Sequence, residues 1–130
     1  MRKQIYLAVP LLLVIALAVV GCSQAAGGNG GSYTTPDVTM GDHDFDHSSL
    51  TISAGTTVKF IDPHSASQHI LCVGENGQCD TSASGPSALT GGNSLPIAPG
   101  ETKEMTFDTP GTYKIACTLH PMMNLTITVQ

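Results

Sequence analysis

The stretch GTYKIACTLHPMMNLTITV, from Gly111 to Val129, determines both the fold class and the candidate site of this chain. On both sides of its centre, apolar residues alternate with polar or small ones, which is the period of half-buried strands. Between these two runs, Cys117, His120 and the methionines offer a thiolate, an imidazole and a thioether within seven residues. That combination of soft sulfur and imidazole ligands favours copper over other available metals. The stretch therefore predicts two strands joined by a loop that binds copper.

The same alternation recurs along the rest of the chain from Thr34 onward. Short apolar-polar runs are separated by turn residues at close intervals, and no helical period is present. The inward positions of these runs are Leu50, Ile52, Val58, Phe60, Met105 and Phe107, with a continuous buried strand at His69 to Val73. We expect seven or eight short strands in an all-β, two-sheet Greek-key β-sandwich. The Ser, Gly and Thr-rich segment 81–94 is expected to be a surface loop.

The N-terminus has the layout of an export signal. Arg2 and Lys3 precede an apolar run over 5–20, which Gly21-Cys22 follows. The run is too short for a spanning helix and contains Pro10, so cleavage is favoured over retention as a transmembrane anchor. The sequence up to Cys22 also resembles the lipobox of bacterial lipoproteins, which implies lipidation of Cys22; a secreted protein cut nearby is the alternative. We expect a signal peptide at 1–21, a lipidated Cys22 with a flexible tether at 22–35, and a folded domain at 36–130.

This organisation predicts a protein anchored by lipid to the outer face of the bacterial cytoplasmic membrane, in the periplasm. The formal charge of the whole chain is −5, and loss of the signal leaves three lysines against ten acidic residues. The mature charge of −7 argues against nucleic acid as a partner and against electrostatic docking to anionic lipid. It favours, weakly, a partner protein with a basic docking face.

The cysteines indicate which thiol is available for a metal. With Cys22 lipidated, three remain, and Cys72 and Cys79 flank an Asn76-Gly77 pair that is a strong signal for a tight hairpin turn. Such a turn would bring Cys72 and Cys79 close enough for a disulfide. Cys117 is then the free thiol, and metal ligation explains why it is tolerated in an oxidising compartment. The alternatives are a bridge from Cys117 to Cys72 or Cys79, and a Cys117 that is merely buried.

A further ligand has to come from outside the Cys117 loop. The candidates are His43, His47, His64 and His69, of which His69 begins an apolar strand that can hold it rigidly. Strand parity places Met123 on the inward face of its strand and Met122 on the outward face, so Met123 is the favoured thioether ligand and Met122 the alternative. A second metal site at His43 and His47 is disfavoured, because strand alternation would turn the neighbouring aspartates away from both imidazoles. A solvated edge with Phe45 anchored in the core is favoured there.

Taken together, the upstream His69, the C-x-x-H-x-x-M loop and the β pattern over residues 36–130 resemble the cupredoxins, the small blue copper proteins. The loop spacing is most similar to the amicyanin type. The resemblance implies one mononuclear copper ion with His69, Cys117 and His120 as equatorial ligands and Met123 as the weak axial ligand. One departure is Ile70, which stands where many family members carry an asparagine that ties the two ligand loops together. Thr118 or the backbone would have to substitute for it.

The resemblance also implies the function. A binuclear oxidase-type site needs two loop cysteines, and multicopper oxidases and copper nitrite reductases have histidines where this chain has Ala116 and Thr118. We therefore expect a monomeric electron carrier, not an enzyme, with respiratory or photosynthetic complexes as redox partners. The electron would pass at the edge of His120, through an apolar patch formed with Leu119, Pro121 and Met122. The alternatives are a copper chaperone or storage protein and a non-metal β-sandwich module for adhesion.

Overall fold

The computed structural model describes residues 35–63 and 66–130, so the expectations about residues 1–34 and about His64 lie outside the described residues. The described part contains nine strands and no helix, and therefore no helix that is long and apolar enough to cross a membrane. The strands are β1 (Asp37–Thr39), β2 (Ser49–Ile52), β3 (Thr56–Ile61), β4 (His69–Glu75), β5 (Gln78–Cys79), β6 (Leu95–Ile97), β7 (Thr102–Phe107), β8 (Gly111–Cys117) and β9 (His120–Val129).

These strands form two sheets. The smaller sheet has the order β1-β3-β7, and the larger has the order β2-β9-β8-β4-β5 with β6 paired to β4. β1 runs parallel to β3 and β2 runs parallel to β9, whereas the other pairs are antiparallel. The predicted all-β two-sheet sandwich is therefore confirmed.

The core lies between the sheets and is built by alternate residues of each strand. In β9 the burial alternates along the strand, so that Leu125, Ile127 and Val129 are buried and the residues between them are partly exposed. Val58 and Phe60 do the same from β3 of the smaller sheet. Apolar area removed from water by this alternation is the main source of stability in such a sandwich.

Two expectations about loops are refined by the structure. The segment 81–94 contains no strand, but Leu89 is buried in the core and its carbonyl accepts a hydrogen bond from the Val73 N–H at 2.8 Å. The segment that carries His43 and His47 is not a strand, since its only pairing is an isolated bridge between Met40 and Phe45. Phe45 is nevertheless buried, which anchors this segment to the core.

The central strands of the larger sheet bring the candidate ligands together. β8 lies between β4 and β9, and Leu71 of β4 is paired with Cys117 of β8. His69 stands two residues before Leu71, at the start of β4, and His120 is the first residue of β9. The candidate ligands therefore meet at one end of three neighbouring strands.

Candidate metal centre

A two-residue turn at Thr118 and Leu119 joins β8 to β9 and sets the spacing of Cys117 and His120. A register shift between Ala116 and Cys117 makes Cys117 the pairing partner of His120. Irregularities of this kind re-aim side chains at the end of a ladder. As a result the Cys117 Sγ lies 3.5 Å from the His120 Nδ1.

His69 approaches the same sulfur from β4. Its side chain is fully buried, and its Nδ1 lies 3.8 Å from the Cys117 Sγ. The ring centroids of His69 and His120 are 5.1 Å apart. The Thr118 N–H donates a 2.8 Å hydrogen bond to the Ile70 carbonyl, so the backbone ties the ligand turn to β4. Ile70 is the residue that stands where many family members carry an asparagine, so at this position the connection between the two ligand-bearing segments is a backbone bond.

The spacing of these donor atoms suits a shared metal ion. One donor from each of His69, Cys117 and His120 lies within 4.8 Å of the other two. Typical first-row distances of about 2.3 Å to sulfur and about 2.0 Å to nitrogen would put a sulfur and a nitrogen about 3.7 Å apart in a trigonal site. The two observed sulfur–nitrogen distances of 3.5 and 3.8 Å bracket that value. The buried thiol and two imidazoles are also the donor set that copper prefers.

The two methionines after His120 have opposite environments. Met123 is 1 % exposed and packs in the core, whereas Met122 is 87 % exposed. Strand parity predicts this difference, since Met123 shares its face with Leu125. Of the two thioethers, Met123 is therefore the one inside the sandwich.

The cysteines are distributed as the hairpin signal suggests. Cys72 and Cys79 are joined by a disulfide, with their Cα atoms 5.6 Å apart, and Cys117 is the buried free cysteine of the described chain. The alternative disulfides, from Cys117 to Cys72 or to Cys79, are therefore not formed in the structure. The thiol is left available beside the two imidazoles.

The segment 42–47 does not supply a second metal site in the structure. Among residues 35–63 and 66–130, the group of three or more metal-ligating side chains is His69, Cys117 and His120. His47 instead lies 3.6 Å from Asp46 on the surface, while the ring of His43 makes an edge contact with His120 at 4.8 Å between centroids.

The family of this chain follows from a comparison with known proteins. A sequence model of copper-binding proteins of the plastocyanin/azurin family matches residues 34–130. The chain belongs to this family. The predicted cupredoxin assignment and the predicted cofactor, one copper ion, are thereby confirmed, and the non-metal module loses its support.

Solved structures agree with this cupredoxin assignment. A reduced Cu(I) form of an amicyanin variant is 20 % identical, with a TM-score of 0.55, and the match covers 75 % of this chain and 83 % of that chain. Another reduced amicyanin variant is 22 % identical, with a TM-score of 0.55 and coverages of 75 % and 83 %. An oxidised variant is 18 % identical, with a TM-score of 0.55 and coverages of 78 % and 88 %. At these identities the likeness shows the fold. No curated protein matches the sequence.

A buried carboxylate stands behind His69 in this cupredoxin and was not predicted from the sequence. The Asp62 Oδ2 lies 3.7 Å from the His69 Nε2, whereas the other ring nitrogen, Nδ1, faces Cys117, and the side chains of Asp62 and His69 are fully buried. The signal that could have found Asp62 is parity, because it continues the inward alternation of Val58 and Phe60 beyond the end of β3.

Burial and charge act in opposite directions on His69. Desolvation by burial lowers the pKa of His69 below its ordinary value, because the imidazolium form loses its hydration. The carboxylate of Asp62 raises the same pKa, but by less. His69 is therefore held in the neutral form that a metal requires.

Around His120, the cupredoxin surface is apolar. A shallow depression there is lined by His43, Leu119, His120, Pro121 and Met122. Leu119 is 49 % exposed, and together with Met122 it makes up the exposed large hydrophobic side chains of the described part. The side chains predicted to form an apolar patch thus line the same depression as His120, the partly exposed member of the His69, Cys117 and His120 cluster.

Proposed function

We propose that this cupredoxin carries single electrons, with His69, Cys117 and His120 as equatorial copper ligands and Met123 as the axial ligand. The observation that carries the proposal is the convergence of two imidazole nitrogens on one buried thiol at 3.5 and 3.8 Å. Copper bound there would supply a one-electron couple between Cu(II) and Cu(I). A trigonal His, His, Cys set with a long axial thioether is acceptable to both oxidation states, so little has to move on transfer.

The chain's own residues keep this site rigid and exclude water from it. His69 and Cys117 are fully buried, and Met123, the proposed axial ligand, is 1 % exposed. The Thr118 N–H bond to Ile70 fixes the turn against β4. Hydrogen bonding and a hydrophobic shell around metal ligands tune the potential and limit solvent access.

Electron exchange is proposed to occur at the edge of His120. His120 is the partly exposed member of the cluster, and Leu119 and Met122 provide apolar surface beside it. A contact of this kind would let a partner approach closely without forming charged pairs, and Met122 would then contact the partner. The surplus of acidic residues in the mature chain would favour a partner with a basic docking face.

We further propose that the partners are respiratory or photosynthetic membrane complexes and that the protein works as a monomer. Lipidation of Cys22 would hold it at the outer face of the cytoplasmic membrane. A Cys22→Ser variant should then be released from the membrane fraction while retaining its copper. Retention of that variant in the membrane would contradict the lipid anchor.

Copper loading of the purified protein tests the electron-carrier proposal. Addition of Cu(II) should give an intense blue charge-transfer absorption that ascorbate bleaches and an oxidant restores. Cys117→Ser should abolish the colour, whereas His47→Gln, on the exposed side chain next to Asp46, should leave it intact. A folded wild-type protein without colour would refute the proposal.

A copper chaperone is the second candidate. It is favoured by the exposed thioether of Met122 near His43 in the depression around His120. It predicts colourless Cu(I) that exchanges rapidly with a competing chelator and depends on Met122. Blue, slowly exchanging copper that is unaffected by Met122→Ala would favour the electron carrier.

A further inference from the structure

The tip of the β4–β5 hairpin lies directly on the segment that carries His120 and Pro121. Asn76 and Gly77 form the turn with left-handed φ values of 53° and 77°. A Cβ added at Gly77 would lie 3.1 Å from the Pro121 Cα, which is tighter than nearly all contacts that a Cβ makes. Gly77 therefore serves two purposes: it permits the turn, and it lets two backbones meet next to His120.

One side chain connects this turn to the ligand segment. The Asn124 Oδ1 accepts a hydrogen bond from the Asn76 N–H at 2.8 Å. The Asn124 Nδ2 donates to the Pro121 carbonyl at 3.3 Å. Asn124 thus bonds the hairpin tip with one end of its amide and the residue after His120 with the other.

The hairpin itself is held to the sheet that carries the other ligands. Its base is closed by the Cys72–Cys79 disulfide, and Cys72 is fully buried in β4, the strand that begins with His69. Above that base, Glu75 accepts two hydrogen bonds from the Lys114 Nζ of β8, at 3.0 and 2.9 Å. The hairpin is therefore fixed to the strand of His69 at one end and rests on the segment of His120 at the other.

From these contacts we infer that the disulfide-closed hairpin 72–79 is a brace that fixes the position of the turn between Cys117 and His120. Asn124 is the positioning residue that connects the hairpin to this turn. The inference deepens the proposed function, on which it rests. Hydrogen-bonded residues behind metal ligands fix ligand orientation, and their loss typically costs about 10- to 100-fold in metal affinity. The brace would hold the Cys117–His120 turn in the same geometry with and without the metal.

Two asparagine substitutions test the brace in the full chain. Asn124→Ala removes both bonds, and Asn93→Ala is the matched control, because the Asn93 Nδ2 donates to the Ser87 carbonyl within the 81–94 loop. Asn124→Ala should weaken Cu(II) binding about tenfold and shift the charge-transfer band and the copper hyperfine coupling. Asn93→Ala should leave all three unchanged. Equal copper affinity and spectra for both variants, in a protein whose wild type is blue, would overturn the brace.

The separate bonds of Asn124 can be resolved with Asn124→Asp. This variant keeps an oxygen that can accept from the Asn76 N–H, but it replaces the amide nitrogen that donates to the Pro121 carbonyl by a carboxylate oxygen, which cannot donate. It should retain the protection of the Asn76 amide in hydrogen exchange and still lose copper affinity. Hydrogen exchange is measured on the metal-free protein, so it tests the brace even if the wild type fails to bind copper. A failure to bind copper would contradict the proposed function alone.

Removal of the disulfide tests the covalent part of the brace. The variant Cys72→Ala/Cys79→Ala should bind copper more weakly, and adding Asn124→Ala should cost little more, because the two changes interrupt one connection. Additive losses would overturn the coupling between disulfide and Asn124. If the disulfide-free chain does not fold, the comparison of Asn124→Ala with Asn93→Ala decides the matter.

Discussion

Replacement of Met123 by alanine should separate its two roles, as a core residue and as a copper ligand. Met123 is 1 % exposed and its neighbour Met122 is 87 % exposed, so Met122→Ala is a matched control for Met123→Ala within one strand. Truncation of a fully buried methionine costs about 3 kcal/mol. Truncation of an exposed one changes stability by about 0.5 kcal/mol at most.

Urea unfolding of the metal-free protein provides the first measurement. With an m-value of about 1.5 kcal/mol/M for a domain of this size, about 3 kcal/mol corresponds to a midpoint lowered by about 2 M. Met122→Ala should shift the midpoint by less than about 0.4 M. Similar midpoints for the two variants would refute the burial argument.

The same titration on copper-loaded protein isolates the ligand role. A metal that binds only the folded state raises its stability by an amount set by metal affinity. Met123→Ala should therefore lose additional stability in the copper-loaded form, beyond its loss in the metal-free form, and Met122→Ala should not. An equal loss in both forms of Met123→Ala would refute its assignment as the axial ligand while leaving its packing role intact.

Two further predictions concern the groups around His69. Asp62→Asn removes a buried negative charge 3.7 Å from its ring and should raise the copper reduction potential by about 60 mV, equivalent to about 1.4 kcal/mol. Asp46→Asn, in the exposed pair with His47 at 3.6 Å, should change the potential little, and equal shifts in voltammetry would contradict the role of burial. The second prediction concerns pH. Because burial lowers the pKa of His69, the unfolded chain binds the proton more readily, and metal-free stability should fall as pH drops below about 6.5. Urea midpoints between pH 7.5 and 5.5 should show this slope in the wild type and in His47→Gln but not in His69→Gln; a slope that His69→Gln retains would contradict it.

Most of the fold could be predicted because the side-chain period of a strand is visible in the sequence. β9 shows this best, since Leu125, Ile127 and Val129 alternate without interruption and all three are buried. The three-residue strands β1 and β6 were not predicted, because three residues are too few to show a period and β6 contains Pro96. Their existence depends on pairing with β3 and β4.

The surroundings of the site were harder to predict than its candidate ligands. Cys117 and His120 are close in sequence, and their chemistry identifies them without a structure. Asp62 and Asn124 act through contacts between segments that are distant in the chain, and their residue types are common on surfaces. Parity predicts that the Asp62 side chain is buried, but only the three-dimensional structure shows that it faces His69, at 3.7 Å.

The short sequence separation of Cys72 and Cys79 has a consequence for which cysteines pair when the chain is oxidised. The bonded cysteines are 7 residues apart, whereas Cys117 follows Cys79 by 38 residues. Loop-closure entropy favours the shorter ring by about 1.5 kcal/mol, which is roughly a tenfold bias among random encounters in the unfolded chain. The Asn76-Gly77 turn adds to that bias by directing the chain back on itself. We therefore expect Cys72 and Cys79 to pair with each other before the sandwich forms, which removes both as partners for Cys117.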